Sequence, residues 1–329
     1  MKLKKELKIA VLMGGVSNER AVSFKSGRAI AKALEQRGHQ VIPFDVRDRK
    51  LNGLQNINPD LAFIALHGKF GEDGGIQTLL EERGIPYTGS ASEASRIGMD
   101  KLASKRAFVR NAVPTPDYTV LQPPVDQDEA EKLAANIGYP LVCKPTTGGS
   151  SIGVSIVRSE EDLAEAIAAS REASDHDPAG PILLEQHIHG RELTVGILDG
   201  EPLPAIEIRS DRSFFDYDAK YKDENTHYIL PVALLESIYR KTLDIAKRSW
   251  DALGCRHFAR TDIIYGYDAR LYVLEVNTIP GFTERSLLPM AASHAGYEFN
   301  DLCERIAEMA FHDAQHQPKT HVKRKKQTA

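Results

Sequence analysis

The sequence predicts an α/β domain built on an open parallel sheet, followed by a larger α+β part. Between residues 7 and 97, short apolar stretches alternate with amphipathic stretches of helical period. From about residue 98, the pattern changes to helices and paired strands joined by tight turns, LDGEP being one example. With 329 residues, the chain is long enough for about two or three domains of ordinary size.

The N-terminal alternation predicts strand and helix in turn. Strands are predicted at LKIAVLMGG, QVIPFDV and LAFIALHG, with a return to the sheet at IPYTGS. Helices are predicted at SFKSGRAIAKALEQRG and GGIQTLLEERG, each closed by a glycine. Ligands bind at the carboxyl ends of the strands in open sheets of this kind. The strand-to-helix turns MGGVSNER and LHGKFGEDGG are therefore expected at a binding edge.

The rest of the chain predicts paired strands between helices. Strands are predicted at LVCKPTTGGSSIGVSIV, which surrounds a glycine-rich turn, and at PILLEQHI, RELTVGILDGEPLPAIEI and the hairpin HFARTDIIYGYDARLYVLEVN. Helices are predicted at SEEDLAEAIAASREA and ESIYRKTLDIAKRSWDALG, with one terminal helix at SLLPMAASHAGYEFNDLCERIAEMAF. We expect SFFDYDAKYKDENTHYI to be a loop that covers a site, and the basic C-terminal residues to be disordered.

The composition excludes several classes of protein. The chain is 42% hydrophobic and 27% charged, as in a globular protein that buries real cores. Its net charge of −4 offers no electrostatic case for nucleic acid or an anionic membrane, and no apolar run approaches the ~20 residues of a membrane span. Three cysteines, odd in number and far apart, argue for a reducing compartment. We therefore expect a cytoplasmic protein without nucleic-acid or membrane partners.

Glu275 lies in the predicted strand LYVLEVN. Side chains alternate between the two faces of a strand, so Leu271, Val273, Glu275 and Asn277 are expected on one face. That face then carries two aliphatic residues beside a carboxylate, and burying an ionised carboxylate without a partner is costly. A metal, a cation or a proton is therefore expected at Glu275.

The hairpin turn GYDA places Asp262 opposite residue 274 or 275. Because Arg260 and Asp262 share one face, we expect the oxygens of Asp262, Glu275 and Asn277 to converge beside Arg260. Oxygen ligands without His or Cys are typical of magnesium. The alternative is a salt bridge between Arg260 and one acid, which leaves the other acid and Asn277 unexplained. We therefore favour a metal site.

A magnesium site of this kind implies a phosphate donor. The stretch KPTTGGSSIGV, from Lys144 to Val154, can cradle phosphate with backbone N–H groups and a lysine, although a flexible hairpin turn is the alternative. It is neither a P-loop nor a dinucleotide fingerprint. Lys101 in MDKLASK is a second candidate for phosphate, or a solvated lysine. Glu185 and Glu192 can accept from an adenine amino group or a ribose hydroxyl, or face solvent.

Eight motifs carry a resemblance to one family. They are GGVSNERAVS, ALHGKFGEDG, YTGS, MDK, KPTTGGSSIGV, FFDYDAKY, ARTDI and LEVNTIPGFTERSLLPM. Their order resembles that in the D-alanine–D-alanine ligases of the ATP-grasp superfamily, from about residue 7 to residue 310. The resemblance implies an ATP-grasp fold preceded by an N-terminal open parallel-sheet α/β domain. The implied divisions are a substrate-binding domain at 1–97, a central subdomain at 98–187, a C-terminal subdomain with metal site and lid loop at 188–314, and a disordered basic tail at 315–329.

The resemblance also implies a reaction, the ATP-dependent ligation of two D-alanines through a D-alanyl phosphate, for peptidoglycan precursor synthesis. Two Mg²⁺ ions, or Mn²⁺, would be held by Asp262, Glu275 and Asn277. The implied ATP-binding residues are Lys101, Lys144, Gly149, Ser150, Ser151, Glu185, His187, Ile188, Glu192 and Lys220. ATP and D-alanine are the expected small-molecule partners, and a homodimer is the expected assembly.

The residues implied for the amino acids and for catalysis overlap. Substrate binding is implied for Glu19, His67, Arg260, Ser286 and Leu287. Catalytic roles are implied for Glu19, Ser150, Tyr221, Arg260, Gly281 and Ser286. Arg260 and the Gly281 N–H would stabilise an oxyanion, and Tyr221 would link Ser150 to Glu19. In isolation, His67 would be read as a structural imidazole and Glu19 as a charge at a helix N-terminus.

Two departures and three alternatives accompany the resemblance. His187 stands where the family often has a larger aromatic residue, and Ala21 replaces a common acidic one. The nearest alternative is a ligase whose second substrate is D-lactate or D-serine, since relatives that form depsipeptides tend to have phenylalanine at the position of Tyr221. A non-catalytic ATP-binding module would require a lost metal or phosphate residue, and none is lost. A dehydrogenase would require a dinucleotide fingerprint.

Overall fold

The computed structural model describes residues 6–149, 151–173, 180–209 and 226–316. Ser150, Lys220 and Tyr221 lie outside these ranges, as do residues 213–225 of the predicted covering loop and the basic tail beyond residue 316. The last residues of the predicted loop, His227–Ile229, form a strand instead, so the loop prediction is wrong there. The predicted order and disorder of these two segments therefore stay predictions. Within the described ranges, no helix is long and apolar enough to cross a membrane.

The N-terminal part forms the predicted parallel sheet. Strand β1 (Lys8–Gly14) lies between β2 (Gln40–Val46) and β3 (Leu61–Ile64), and both pairings are parallel. IPYTGS returns to this sheet only as a single bridge between Tyr87 and Ala62. The helices are α1 (Arg20–Gln36), α2 (Leu54–Ile57), α3 (Gly75–Glu82) and α4 (Ser92–Met99). The turns after β1 and β3 meet at the carboxyl edge, where Ser17 Oγ donates to the His67 carbonyl at 2.6 Å.

The central part forms a four-stranded antiparallel sheet. Its strands are β4 (Tyr118–Leu121), β5 (Leu141–Pro145), β6 (Ser155–Val157) and β7 (Ile182–Gln186), in the order β4-β7-β5-β6. Strands β5 and β6 pair around the glycine-rich turn, as predicted. Helices α6 (Gln127–Ile137) and α7 (Leu163–Glu172) pack on the sheet, and α5 (Lys101–Arg110) packs against α4.

The third part is built on an antiparallel sheet of six strands. They are β8 (Gly190–Leu198), β9 (Glu201–Pro202), β10 (Ile206–Arg209), β11 (His227–Ile229), β12 (Phe258–Gly266) and β13 (Leu271–Asn277). The predicted hairpin is present as β12 and β13. Helix α8 (Glu236–Leu253) packs on β8, β12 and β13.

The predicted single terminal helix is wrong, because the structure has two helices, α9 (Leu287–His294) and α10 (Phe299–His316). Gly296 has φ +92° and closes the first helix. Its N–H donates to the Ser293 carbonyl at 3.0 Å, and the Tyr297 N–H donates to the Ala292 carbonyl at 2.9 Å. This is a Schellman ending, which satisfies carbonyls that the helix leaves open and requires a left-handed residue. The hydrophobic periodicity continues across it, which hid the break.

One hydrophobic core joins the first and third parts. Ile30 and Leu34 of α1 pack in it with Ile306 of α10, Phe258 of β12 and Phe282. The C-terminal helix therefore contacts the N-terminal sheet, although the two are far apart in sequence. This packing places the carboxyl edge of the parallel sheet beside the end of the β12–β13 hairpin. The domain boundaries inferred from the sequence stay predictions.

Candidate active site

The β12–β13 hairpin brings the candidate metal ligands together. Asp262 lies directly opposite Glu275, and Arg260 lies opposite Asn277. The sequence placed Asp262 opposite residue 274 or 275, and the structure pairs it with residue 275. Both acids line the same cavity, so the convergence of the two carboxylates follows from strand pairing.

A β-bulge decides which way Glu275 points. Asp262 pairs with Glu275, but the next residue, Ile263, pairs with Val273, so Leu274 is an extra residue on β13. Such a bulge shifts the alternation of side chains by one position and is common beside active sites. Val273 and Val276 accordingly both pack in the core under α8, while Glu275 borders the cavity. The expected shared face of Val273 and Glu275 is therefore wrong.

The hairpin acids differ in their contacts. Arg260 donates to both oxygens of Asp262, at 2.8 and 2.7 Å, and Thr194 Oγ1 donates to the same carboxylate at 2.7 Å. The salt bridge that the sequence offered as an alternative therefore exists. Asn277 Oδ1 accepts from the Ile279 N–H at 3.1 Å. Within the part of the chain that the structure describes, the Glu275 carboxylate makes no hydrogen bond or ion pair.

A cavity of about 850 Å³ lies between the four-stranded and six-stranded sheets. This volume suits a nucleotide-sized ligand, since small-molecule sites enclose about 300–1,000 Å³. Every described residue that the sequence assigned to ATP lines it: Lys101, Lys144, Gly149, Ser151, Glu185, His187, Ile188 and Glu192. Asp262 and Glu275 line it too. The structure thus gathers residues from five strands, two turns and a helix around one space.

Glu185 lies in a buried ion cluster at one end of this cavity. Its side chain is 3% exposed, and its two oxygens lie 2.6 Å from Lys105 Nζ and 3.0 Å from Lys144 Nζ. Although burial alone would raise it, the two lysines hold the pKa of Glu185 below its usual value. Both oxygens of Glu185 are thus engaged by lysines before any ligand is considered.

Lys105 is a residue that the sequence interpretation missed. It is four residues beyond Lys101 on α5, and that spacing on a helix, LASK after MDK, was the available signal. Lys101 Nζ donates to the Gly148 carbonyl at 2.7 Å, on the glycine-rich turn. Gly148 has φ +119°, so the turn uses a backbone conformation that a side chain would strain.

His187 borders the cavity beside His189. The two rings are 4.4 Å apart and meet edge to face. Burial, then the neighbouring His189 and Arg158, lower the pKa of His187. Its Nδ1 is buried and has no hydrogen-bond partner among the described residues. A buried polar atom of this kind at a cavity wall is suited to a polar ligand.

A second, smaller cavity of about 70 Å³ lies at the carboxyl edge of the parallel sheet. It is lined by Glu19, His67, Glu72, Arg260, Asn277 and Gly281, and shares Lys101, Gly148, Gly149 and Glu275 with the large cavity. His67 is buried, with Nε2 3.1 Å from Ser26 Oγ and Nδ1 3.3 Å from the Glu72 carboxylate. Glu72 was not singled out from the sequence. Glu275 therefore stands at the boundary of the two spaces.

Ser286 and Leu287 do not line either cavity. Ser286 begins helix α9, and its Oγ accepts from the Thr283 N–H at 3.0 Å. It lies just behind Gly281, where an added Cβ would come within 3.4 Å of Ser286 Oγ. The Leu287 side chain is buried in the core shared with α1. Their assignment to substrate stays a prediction.

Two family models and several relatives match most of this chain. The family model described as D-ala D-ala ligase C-terminus matches residues 108–308, and the one described as D-ala D-ala ligase N-terminus matches residues 48–90. The D-alanine–D-alanine ligase of Syntrophotalea carbinolica is 46% identical over 91% of this chain and 94% of the relative. The ligase of Desulforudis audaxviator is 45% identical over 92% of this chain and 98% of the relative.

Solved structures show the same fold. The D-alanine–D-alanine ligase of Bacillus anthracis complexed with ATP has a TM-score of 0.80 at 33% identity, over 94% of this chain and 99% of that one. The VanG D-Ala:D-Ser ligase of Enterococcus faecalis also has a TM-score of 0.80, at 26% identity, over 93% of this chain and all of that one. With matches across nearly its whole length, the chain belongs to the D-alanine–D-alanine ligase family.

Proposed function

We propose that this protein joins two D-alanines to make D-alanyl-D-alanine for peptidoglycan precursors, with transfer of the γ-phosphate of ATP to the first D-alanine and release of ADP and then of phosphate. The observation that carries the proposal is the place of Glu275. Its carboxylate lies at the boundary between the large cavity and the small one, without a protein partner among the described residues. Transfer of phosphate from a nucleotide to a second substrate requires that the two binding spaces meet, and Glu275 lies where they do.

The large cavity would hold ATP. Lys101 and the backbone of Gly148 and Gly149 line both cavities, where the transferred phosphate belongs, and Lys144 lines the large cavity. Phosphoryl transfer requires mainly positioning and charge neutralisation, and lysines with backbone N–H groups supply both. His187, Ile188 and the carboxylates nearby would surround the base and ribose. Ser150 and Lys220, which lie outside the described residues, complete the proposed ATP set.

The hairpin would hold magnesium. Among the described residues, no three His, Cys, Asp or Glu side chains gather into a ligand set. Asp262 and Glu275 are nevertheless paired across the hairpin, and Mg²⁺ is commonly held by one or two carboxylates with phosphate oxygens and water. The oxygens present therefore fit two Mg²⁺ ions, or Mn²⁺, bound jointly with a nucleotide and aided by Asn277. When bound, the ions would neutralise the charge that develops on the transferred phosphate.

The small cavity would hold the first D-alanine. Glu19 would bind the ammonium group, and His67 would lie near the substrate carboxylate while its ring nitrogens contact Ser26 and Glu72. The substrate carboxylate would attack the γ-phosphate and become a D-alanyl phosphate. The second D-alanine must then lose a proton from its ammonium group, because only the free amine can attack.

Arg260 and the Gly281 N–H would stabilise the oxyanion of the tetrahedral intermediate, from which phosphate leaves. Both residues line the small cavity. Arg260 is paired with Asp262, so it would serve the ion site and the oxyanion together. Ser286 would hold the carboxylate of the second substrate with Leu287 nearby, and Tyr221 would link Ser150 to Glu19.

The test is phosphate release from ATP with Mg²⁺ and D-alanine, with mass detection of the dipeptide. Release that depends on D-alanine, and yields D-alanyl-D-alanine, supports the proposal. ATP turnover without a ligated product, or no turnover of the folded protein, overturns it. L-alanine serves as the control for stereochemistry.

A second candidate is a ligase that takes D-serine as the second substrate. The observation that favours it is the structural match to a D-Ala:D-Ser ligase. Competition between D-alanine, D-serine and D-lactate in one reaction, followed by product analysis, separates the candidates. A mixed dipeptide as the main product would replace D-alanyl-D-alanine in the proposal. A homodimer in the bacterial cytoplasm is also proposed, and light scattering on the purified protein tests the dimer.

A further inference from the structure

Lys105 is a buried charged residue behind the wall of the nucleotide cavity, and the proposed chemistry does not use it. Its side chain is 1% exposed. Nζ lies 2.6 Å from Glu185 Oε2, 2.7 Å from Thr115 Oγ1 and 3.2 Å from the Pro116 carbonyl. Two of the three N–H donors of its ammonium group are used in hydrogen bonds to Thr115 and Pro116, and the ion pair with Glu185 occupies the remaining side. Lys105 therefore has no donor left for a ligand and does not itself line the cavity.

Lys144 shares the same carboxylate but stands on the other side of it. Its Nζ lies 3.0 Å from Glu185 Oε1, and its side chain is 10% exposed and borders the cavity. With one contact to Glu185, Lys144 keeps donors for a phosphate group. In this cluster, Lys105 lies on the side of Glu185 away from the cavity, and Lys144 borders the cavity on the other side.

The charges explain why two lysines are needed. A lone Glu185–Lys144 pair would be neutral, and the carboxylate would hold the ammonium group against any phosphate in the cavity. A second buried cation, Lys105, balances the charge of Glu185. The three side chains together then carry one net positive charge, and Lys144 presents it to the cavity. Burial lowers the pKa of Lys105 to about 8, and Glu185 opposes that shift. The ion pair with Glu185 at 2.6 Å favours the charged form of Lys105.

We propose that Lys105 is a positioning residue for the nucleotide phosphates: by compensating Glu185, it leaves Lys144 free to bind them. The inference rests on the proposed function, because it takes the ligand of the large cavity to be a nucleotide with phosphates. It assigns Lys105 no contact with substrate. Its effect is expected on ATP and ADP, and not on the amino acid.

The experiment measures calorimetric binding of Mg²⁺-ADP, and KM for ATP and for D-alanine, in the full chain. In Lys105→Met, we expect the Kd of ADP and the KM of ATP to rise by at least about tenfold, the order expected for a charged hydrogen bond. The KM of D-alanine should stay within about twofold of the wild-type value, and Lys105→Arg should recover part of the ADP affinity, because its charge is retained.

Arg106→Met is the matched control, because it removes an exposed positive charge from the next position of the same helix. It should bind ADP as the wild type does. Glu185→Gln provides the second arm, since Lys105 acts through that carboxylate. The Lys105→Met substitution should cost little ADP affinity when made in the Glu185→Gln background. This comparison carries the test if the single Lys105→Met variant does not fold.

Three outcomes overturn the inference. They are unchanged ADP affinity in folded Lys105→Met, equal losses for ATP and D-alanine, and an undiminished loss in the Glu185→Gln background. Each leaves the proposed function intact when the wild type binds ADP and ligates D-alanine. A wild type that binds no ADP would overturn both.

Discussion

Two of the groups of charged side chains at the large cavity differ in burial and in sign. At one end, Glu185 is buried between Lys105 and Lys144, so two cations meet one carboxylate. At the other end, Asp262 and Glu275 are half-buried, and Arg260 is paired with Asp262. The first group carries net positive charge and the second net negative charge.

The difference teaches how each carboxylate is used. A carboxylate that is buried and fully paired is an internal counter-ion, and its removal leaves unpaired cations in the protein. A half-buried carboxylate without a partner costs the fold little, and it remains available to a ligand. The positive end suits phosphates and the negative end suits the ions that accompany them. The first two variants below separate these uses, the third concerns a buried histidine outside both groups, and the fourth tests the cavity where charge is not involved.

The largest expected effect is on the negative end. Glu275→Gln keeps the shape of the side chain and removes the charge that would balance magnesium. We expect turnover to fall on the order of a thousandfold, the scale seen when electrostatic stabilisation of a transition state is removed. Unfolding in urea should shift by less than about 0.5 kcal/mol, since the carboxylate has no protein partner. Ligase activity near that of the wild type at ordinary magnesium would contradict the metal assignment.

The second effect is on the positive end and concerns stability. Glu185→Gln leaves Lys105 and Lys144 buried without their counter-ion. We expect the free energy of unfolding to fall by about 3–5 kcal/mol, the cost of breaking a buried ion pair from one side. Urea denaturation of this variant and of Glu275→Gln, side by side, measures the contrast. Equal free energies of unfolding for the two variants would contradict the difference in pairing and burial between Glu185 and Glu275.

The third variant concerns His257, a buried histidine that is neutral. His257 Nδ1 accepts from the Gly89 N–H, and its Nε2 lies 3.0 Å from Asp313. Burial lowers the pKa of His257 to about 4. Between that value and the ordinary one near 6.5, the unfolded chain binds more protons, so stability is lost as pH falls through this window.

We expect the free energy of unfolding of the third variant, His257→Gln, to depend less on acid pH than that of the wild type. Over pH 6.5 to 4, the wild type should lose up to about 3 kcal/mol through His257. His257→Gln, which can keep both hydrogen bonds without titrating, should lose less. Urea denaturation at several pH values measures this, with exposed His294→Gln as control. A pH slope in His257→Gln identical to that of the wild type would show that this contact does not sense acid.

The smallest expected effect is at the base of the nucleotide. His187→Trp restores the larger aromatic residue that the family often has there. A wider ring surface should lower the Kd of ADP by about twofold to tenfold, because aromatic contacts contribute about 0.5–1.5 kcal/mol. The KM of D-alanine should not change. Calorimetry measures the Kd of ADP for the variant and the wild type. Weaker binding of ADP by His187→Trp would show that His187 contributes a polar contact through Nδ1 instead.

The hairpin shows both the reach and the limit of prediction from sequence. The turn GYDA and the length of the strands were enough to place Asp262 opposite residue 274 or 275. The bulge at Leu274 was invisible, because it depends on how β13 meets β12 and on which residues the core under α8 accepts. Strict alternation therefore put Glu275 on the face of Val273, and the apparent conflict between a carboxylate and a buried face was an artefact of that assumption.

The same limit explains Lys105 and the terminal helices. A lysine in a polar helix is ordinarily solvated, and only the approach of β7 makes Lys105 a buried counter-ion for Glu185. Gly296 interrupts a continuous hydrophobic period, and its left-handed conformation, required by the Schellman ending, could not be read from periodicity. In each case the deciding partner lies elsewhere in the chain or in the backbone conformation.

The sequence by itself determined the open parallel sheet, the β12–β13 hairpin and the residue types needed for phosphate and metal. These follow from local patterns of apolar residues, turns and oxygen donors. Tertiary structure alone decided that Glu19 and Arg260 border one cavity, that Glu275 separates it from the nucleotide space, and that Glu185 is held between two lysines. The physical reason is that burial and charge compensation depend on segments that meet only when the three sheets pack together.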